Sequence, residues 1–187
     1  TDVGEALRYV AFHVVSISPS LGLATHDYTL WPMFAQIWIL FLGSFVACSG
    51  STGGGIKMMR AMILYKQVFR EIVRSLHPNA VRPVRMGRNP VPENILHAVL
   101  GFSFMYMVSI VSLTLVLSAA GLELVTAFSA VVACLNNTGP GLGLVGPASN
   151  YQGLGDFHKW VLCFAMILGR LEIFTFLVVL TPTFWRR

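Results

Sequence analysis

The stretch from Ile95 to Ala120 contains no Asp, Glu, Lys or Arg, and no other feature restricts the possible folds of this chain as strongly. A helix needs about 20 predominantly apolar residues to cross the hydrocarbon core of a bilayer, so this stretch predicts a membrane-spanning helix. Trp160–Leu180 predicts another. Only 11% of the 187 residues are charged, whereas a soluble domain carries about 25%. The sequence therefore predicts an all-α integral membrane protein.

The basic residues are concentrated between the predicted spans. Eight of the 13 Lys and Arg residues lie in one stretch: Lys57, Arg60, Lys66, Arg70, Arg74, Arg82, Arg85 and Arg88. Loops rich in Lys and Arg beside apolar spans stay on the cytoplasmic side, so we expect this stretch and Arg186–Arg187 to be cytoplasmic. The same distribution accounts for the net charge of +5. Membrane lipid is therefore the expected partner, and nucleic acid is not.

A third apolar region is interrupted by glycines. It predicts a helix over Met33–Val46, a break at Cys48–Gly55, and a second helical part over Ile56–Val73. Each glycine weakens a helix by about 1 kcal/mol relative to alanine, so the break can change shape at low cost. A plain kink without a further role is the alternative. A phosphate-binding loop is disfavoured because Lys57 comes one place late and Met58 is neither Ser nor Thr.

Two shorter apolar segments, Gly4–Ser16 and Glu123–Leu135, predict helices that are too short to cross a bilayer. Each runs into a Gly- and Pro-bearing strip, Ser18–Gly22 in the first case and Asn136–Gly141 in the second. Irregular backbone at membrane depth is tolerated only where protein buries it or water lines it, so we interpret both segments as re-entrant hairpins. Ordinary turns between helices are the alternative.

The two hairpins belong to a weak internal repeat. Aligning them pairs three sites: Val14–Val15 with Val131–Val132, Ser20–Gly22 with Asn137–Gly139, and Leu42–Gly43 with Leu168–Gly169. The shared order is a short helix, a strip, a loop and a membrane helix. In the second copy Ile95–Ala120 precedes the short helix, and the first copy has no such helix. We therefore expect the first copy to be truncated at its N-terminal side.

A short helix followed by a glycine-bearing strip can bind a cation. Glycine permits backbone angles that turn successive carbonyl groups to one side, and a ring of carbonyls can replace the water around a potassium ion. The carbonyl end of each short helix adds partial negative charge. We expect the side chains of Ser20, Asn137 and Thr138 to support the strips by hydrogen bonding.

Four motifs in this order resemble the TrkH/TrkG/KtrB family of potassium uptake proteins. They are Cys48–Lys57, Asn136–Gly143, Leu168–Thr175 and Thr181–Arg186. Members of that family consist of four helix–pore-loop–helix repeats like those of K+ channels. The resemblance implies that residues 1–76 form the third repeat without its first helix, residues 77–93 a cytoplasmic linker, and residues 94–187 the complete fourth repeat.

The resemblance implies that six residues bind K+ in a selectivity filter: Ser20, Leu21, Gly22, Asn137, Thr138 and Gly139. The family's third strip is usually Thr-rich before its glycine, and Pro19 and Leu21 depart from that pattern. If the filter binds the ion through main-chain carbonyl oxygens, Leu21 can still supply a ligand.

The resemblance also implies an intramembrane gate below the filter. Its residues would be Gly50, Ser51, Thr52, Gly53, Gly54, Gly55 and Lys57, together with Arg170. A charge near the middle of a membrane helix must face protein or water, and the resemblance places Arg170 in the cavity near the gate, where it would raise the barrier for cations. A structural ion pair between Arg170 and another repeat is the alternative.

The assembly implied by the resemblance is a homodimer of full-length, multi-pass subunits in a bacterial inner membrane. Each full-length subunit would contain the other two pore repeats in addition to the two of this chain. A cytoplasmic nucleotide-binding subunit similar to TrkA would regulate the transport of K+. Channel-like transport and symport with H+ or Na+ both remain open. An intramembrane enzyme is disfavoured because the apolar spans lack paired acids and a His/Asp or Cys/His constellation, so no enzymatic activity is expected. A structural subunit beside a separate pore is the other alternative.

Overall fold

The computed structural model describes residues 3–45, 54–77, 83–87, 89–171 and 185. The helices within these ranges are α1 (Val3–Ile17), α2 (Met33–Phe45), α3 (Met58–Leu76), α4 (Glu93–Ala119), α5 (Leu124–Leu135) and α6 (Asp156–Arg170). Two-residue strands β1 (Arg85–Met86) and β2 (Asn89–Pro90) form an antiparallel pair. Short 3-10 turns cover Tyr28–Leu30, Gly143–Val145 and Tyr151–Gly153.

Helix α5 lies at the centre of the largest apolar cluster. Its residues from Ala130 to Leu135 are all buried, and they pack against α4 and α6. From α4 the cluster takes Phe102, Tyr106, Ile110 and Leu117, and from α6 it takes Leu162, Ala165 and Leu168. The spacing of the buried residues on α4 and α6 follows one face of a helix, as expected for a helix with a single packed side. A short helix is thus enclosed by longer ones.

The first copy packs around a smaller apolar cluster. Ile17 at the end of α1, Tyr28 in the following turn and Ile39 on α2 meet there with Leu142 from the second copy. Helix α2 presents a row of aromatic side chains, Phe34, Trp38 and Phe41, each at least 49% exposed. Exposed rows of large apolar side chains mark surfaces that contact lipid or another protein.

Among the described residues, α4 is the one helix that is long and apolar enough to cross a membrane. Its 27 residues span roughly 40 Å at 1.5 Å per residue. Helices α2 and α5 are apolar but shorter, as the sequence predicted for both. The predicted span Trp160–Leu180 is described only as far as Leu171, so the remainder of that prediction lies outside the described residues.

Several helix boundaries differ from the predicted ones. Helix α6 begins at Asp156, four residues before Trp160, because Gly155 is extended and Asp156 places a carboxylate in the first turn, where the helix dipole favours it. Helix α3 begins two residues late, at Met58, and continues to Leu76. The expected linker 77–93 contains the β1–β2 pair, which apolar periodicity cannot reveal in two-residue strands.

Candidate functional site

The two strips share the same alternation in the sign of φ. In the first strip (residues 20–22) Ser20 has φ of 63° and Gly22 has φ of 74°. In the second strip (residues 137–139) the values are 56° for Asn137 and 94° for Gly139. The middle residue of each strip has negative φ. Such alternation lets successive carbonyl groups face one side, whereas in a regular strand they alternate.

Both short helices end in the same hydrogen-bonded cap. The bonds run from Ser20 N to Ile17 O (3.0 Å), Leu21 N to Ser16 O (2.9 Å), Asn137 N to Cys134 O (3.1 Å) and Thr138 N to Ala133 O (2.9 Å). This is the Schellman arrangement, in which a residue with positive φ reverses the chain after the last helical turn. Glycine usually fills that position, and here Ser and Asn do. Asn is the commoner substitute because its short polar side chain tolerates positive φ.

The carbonyl groups of the strips are mostly unengaged. Within the described residues, no hydrogen bond reaches the oxygens of residues 20–22, 137 and 138. The Gly139 oxygen accepts one bond, from the Tyr151 hydroxyl at 2.6 Å, and a carbonyl oxygen has a second lone pair. A carbonyl oxygen without a hydrogen bond keeps both lone pairs available, so a row of such oxygens can act as ligands for a cation.

The two strips approach each other directly. A Cβ atom built on Gly22 would collide with the carbonyl oxygen of Thr138 and would lie 3.3 Å from Cδ of Pro140. Gly43 of α2 packs beside both copies, since its Cβ would lie 3.3 Å from Ile17 Cγ2 and 3.4 Å from Thr138 Cγ2. The strips that the sequence paired by alignment therefore meet in space.

Two tyrosines donate hydrogen bonds to the second strip and to the residues just after it. The buried Tyr28 hydroxyl donates to the Gly141 oxygen at 3.0 Å and so joins the two copies, while Tyr151 bonds Gly139 as described. Burial raises the pKa of both phenols, so both remain neutral donors at physiological pH. Sequence periodicity gave no signal for either residue.

The expected side-chain support for the strips is present in one of three cases. The Thr138 hydroxyl donates to the Ala133 oxygen at 3.1 Å, which ties it to the last turn of α5. Ser20 Oγ and Asn137 Nδ2 are buried and have no hydrogen-bond partner among the described residues. The prediction was therefore wrong for these two.

His13 fixes the outer part of the first copy. Its ring is fully buried, with Nδ1 2.8 Å from the Tyr9 oxygen and Nε2 3.0 Å from the His26 oxygen. The rings of Tyr28 and Trp31 stand edge-on to it at 5.7 and 5.2 Å. His13 thus anchors the loop after the first strip to α1.

Part of the predicted gate meets the end of α5. A Cβ on Gly54 would lie 2.6 Å from the Leu135 oxygen, and one on Gly55 would collide with Oδ1 of Asn136. On the other side Gly169, the neighbour of Arg170, packs so closely on the Leu135 oxygen that it too has no room for a Cβ. The two predicted gating segments therefore contact the same helix end.

The remaining gate predictions have different outcomes. Lys57 is half-buried and precedes the first turn of α3, and Arg170 is exposed at the end of α6. Gly50, Ser51, Thr52 and Gly53 lie outside the described residues. Their predicted part in a gate remains a prediction.

Sequence reasoning missed a buried polar network at this helix end. Asn136, which is 1% exposed, accepts from the Tyr106 hydroxyl at 2.9 Å and donates through Nδ2 to Ser44 Oγ at 3.0 Å. The network connects α4, the end of α5 and the end of α2. The only signal in the sequence was the doubled Asn at 136–137, where we assigned a function to the second residue alone.

The comparisons with known proteins agree with this architecture. The family model TrkH, described as a cation transport protein, matches residues 1–186. The chain belongs to the TrkH family. The Trk system potassium uptake proteins TrkH of Vibrio parahaemolyticus and of Escherichia coli K12 are each 44% identical to it, over 186 and 175 residues. TrkG of Escherichia coli K12 is 41% identical over 185 residues.

A solved TrkH-family structure has the same fold. The crystal structure of the potassium transporter TrkH from Vibrio parahaemolyticus covers 100% of this chain with a TM-score of 0.92 and 44% identity. The chain spans 38% of the length of the Vibrio relative and 36% of the Escherichia coli one. These relatives are potassium uptake proteins and not enzymes, in agreement with the expectation that no enzymatic activity resides here.

Proposed function

We propose that this chain supplies two of the pore-loop repeats of a K+ uptake subunit, with the strips at residues 20–22 and 137–139 forming half of a selectivity filter. One observation carries the proposal. The two strips share alternating φ signs and identical helix caps, and they meet where Gly22 packs on the Thr138 carbonyl.

The chemistry of such a site suits a dehydrated monovalent cation. Five strip oxygens without hydrogen bonds among the described residues are available as neutral ligands. Helices α1 and α5 each end just before one of the two strips, so the carbonyl end of each adds partial negative charge there. The printed names of the relatives indicate potassium as the transported ion. K+ is transported in this proposal, and no resident cofactor is required.

In this proposal a gate lies below the strips. Residues 50–55, with Lys57, would close the path, and Arg170 would add a fixed positive charge at the same level. The contact of both Gly54 and Gly169 with the Leu135 oxygen supports this placement, because it brings the two segments to one helix end.

The assembly follows from the number of repeats. Two repeats give two strips, so we propose that the third-repeat part (residues 1–76) and the fourth repeat (residues 94–187) act with two further repeats of a longer subunit. Two such subunits would form a homodimer in the bacterial inner membrane. The dimer would bind a cytoplasmic nucleotide-binding protein similar to TrkA. Exposed aromatic side chains on α2 leave a surface for lipid or for the further repeats.

Rubidium uptake by the full-length protein in a host that lacks its own potassium transport tests the proposal. We expect uptake by the wild type and its loss in Gly139→Asp, because a carboxylate at a position with φ of 94° both strains the strip and adds charge beside the ion. Gly153→Asp is the matched control, since Gly153 has open space around it and no positive φ. Unchanged uptake in Gly139→Asp would favour a structural subunit beside a separate pore.

A further inference from the structure

The amide of Asn136 lies between the second strip and the segment Gly54–Ile56. Asn136 immediately precedes the strip and follows the last residue of α5. The Gly55 backbone packs so closely on Oδ1 of Asn136 that no side chain fits at position 55. The backbone amide of Ile56 donates to the backbone carbonyl oxygen of Ser44 at 3.1 Å. A displacement of Gly54–Ile56 therefore acts directly on Asn136 and Ser44, as well as on the Leu135 oxygen that Gly54 contacts.

Donors and acceptors in this cluster fix the orientation of the amide. The Ser44 hydroxyl donates its single hydrogen to the Leu40 oxygen at 3.0 Å, so toward Asn136 it must accept. Nδ2 consequently faces Ser44, and Oδ1 receives the Tyr106 hydroxyl. Each group has one role only, and a rotated amide would place two acceptors together at Ser44.

We propose that Asn136 is a positioning residue that couples the segment Gly54–Ile56 to the second strip. The position of that segment, which includes the last two glycines of the proposed gate, then influences how residues 137–139 bind a cation. This inference rests on the proposed function. A buried amide suits the role, because loss of either partner leaves a polar atom unsatisfied in an apolar surrounding, so the cluster resists a displacement that breaks one of its bonds.

The test uses three single variants of the full-length protein: Ser44→Ala, Tyr106→Phe and Asn136→Ala. The matched control is Ser112→Ala, which removes a hydroxyl from an exposed face of α4 that bonds only the helix backbone. Two quantities are measured, and neither depends on the amount of transporter in the membrane. They are the ratio of Rb+ to Na+ uptake and the rise in melting temperature that K+ produces.

We expect each of the three variants to change the uptake ratio about fivefold, the size that corresponds to one lost buried hydrogen bond, and to reduce the K+-dependent rise in melting temperature. Ser44→Ala should add nothing further in an Asn136→Ala background, because both changes interrupt one connection. Ser112→Ala should leave both quantities at the wild-type value.

Two results would overturn the inference. In one, the variants lower the amount of protein but keep the wild-type ratio and the wild-type K+ effect, which is the behaviour of a residue with a structural role alone. In the other, Ser44→Ala has the same effect with and without Asn136. If Asn136→Ala does not fold, Ser44→Ala and Tyr106→Phe decide, since both retain the amide. A wild type that takes up no Rb+ refutes the proposed function, and the inference with it.

Discussion

Gly22 packs against the carbonyl group of Thr138, with no space between them for a Cβ atom. The equivalent glycine of the second strip, Gly139, has nothing within 4 Å of its Cβ position, although its φ is also positive. The two glycines are therefore required for different reasons. Gly22 is needed for close approach and for conformation, and Gly139 for conformation alone.

This difference predicts unequal effects of alanine. Gly139→Ala should cost only the strain of positive φ, roughly 1–2 kcal/mol, and should lower rubidium uptake without abolishing it. Gly22→Ala adds a collision with the Thr138 oxygen and should abolish uptake. Gly153→Ala, in open space, is the control. Equal uptake by the two strip variants would contradict the direct approach of the strips.

Gly169→Ala should destabilise the protein by about 1–3 kcal/mol, because the new methyl group would push α6 away from the Leu135 oxygen. The melting temperature of the purified full-length protein measures this. Gly4→Ala, also within a helix but with open space around it, should leave the melting temperature unchanged or slightly raised. A Gly169→Ala protein as stable as the wild type would refute close packing of α6 on α5.

Tyr151→Phe should weaken K+ binding by about fivefold, or ~1 kcal/mol, because the Gly139 oxygen loses the one hydrogen bond that it accepts from the described residues and can move. The concentration of K+ that half-inhibits rubidium uptake reports the change. Tyr65→Phe removes a hydroxyl that is exposed on α3 and is the control. An unchanged half-inhibitory concentration in Tyr151→Phe would show that Gly139 takes no part in binding.

The buried phenol of Tyr28 predicts a loss of stability in alkali. Burial raises its pKa in the folded state above the value of about 10 in the unfolded chain. Its contribution is therefore constant below pH 10 and is lost as the pH rises further, because only the unfolded chain then releases the proton. The melting temperature measured from about pH 8 to about pH 11, a range that brackets the pKa of the unfolded phenol, should fall less steeply in Tyr28→Phe than in the wild type. Parallel curves would contradict this.

Arg170→Ala should raise rubidium uptake at saturating substrate. A fixed positive charge near the path adds on the order of 1 kcal/mol to the barrier for a cation a few ångströms away in a well-screened site, which corresponds to about fivefold in rate. Lys159→Ala removes a cation from the same helix about three turns away and is the control. Uptake that is unchanged or reduced in Arg170→Ala would indicate that the arginine has a structural role.

The sequence predicted the elements whose signal is local. The apolar run of α4 and the shortness of α5 are visible in composition and length, and both elements are present where they were expected. The alignment of Gly22 with Gly139 found the shared strip because positive φ restricts residue choice strongly enough to leave a mark in a single sequence.

The network around Asn136 could not be predicted, because it depends on contacts between residues far apart in the chain. Ser44 and Asn136 are separated by 92 positions, and Tyr28 and Gly141 by 113. Ser, Asn and Tyr occur in membrane helices for many reasons, so residue type alone does not indicate a partner. Only the packing of α2 and α4 around the end of α5 brings these side chains together.

The most direct measurement is the anomalous diffraction of the full-length protein crystallised with Tl+ or Rb+ in place of K+. We expect a peak on the axis between the strips, within coordination distance of carbonyl oxygens from both residues 20–22 and residues 137–139. A peak elsewhere with none between the strips, or strips whose carbonyl groups face lipid, would contradict it.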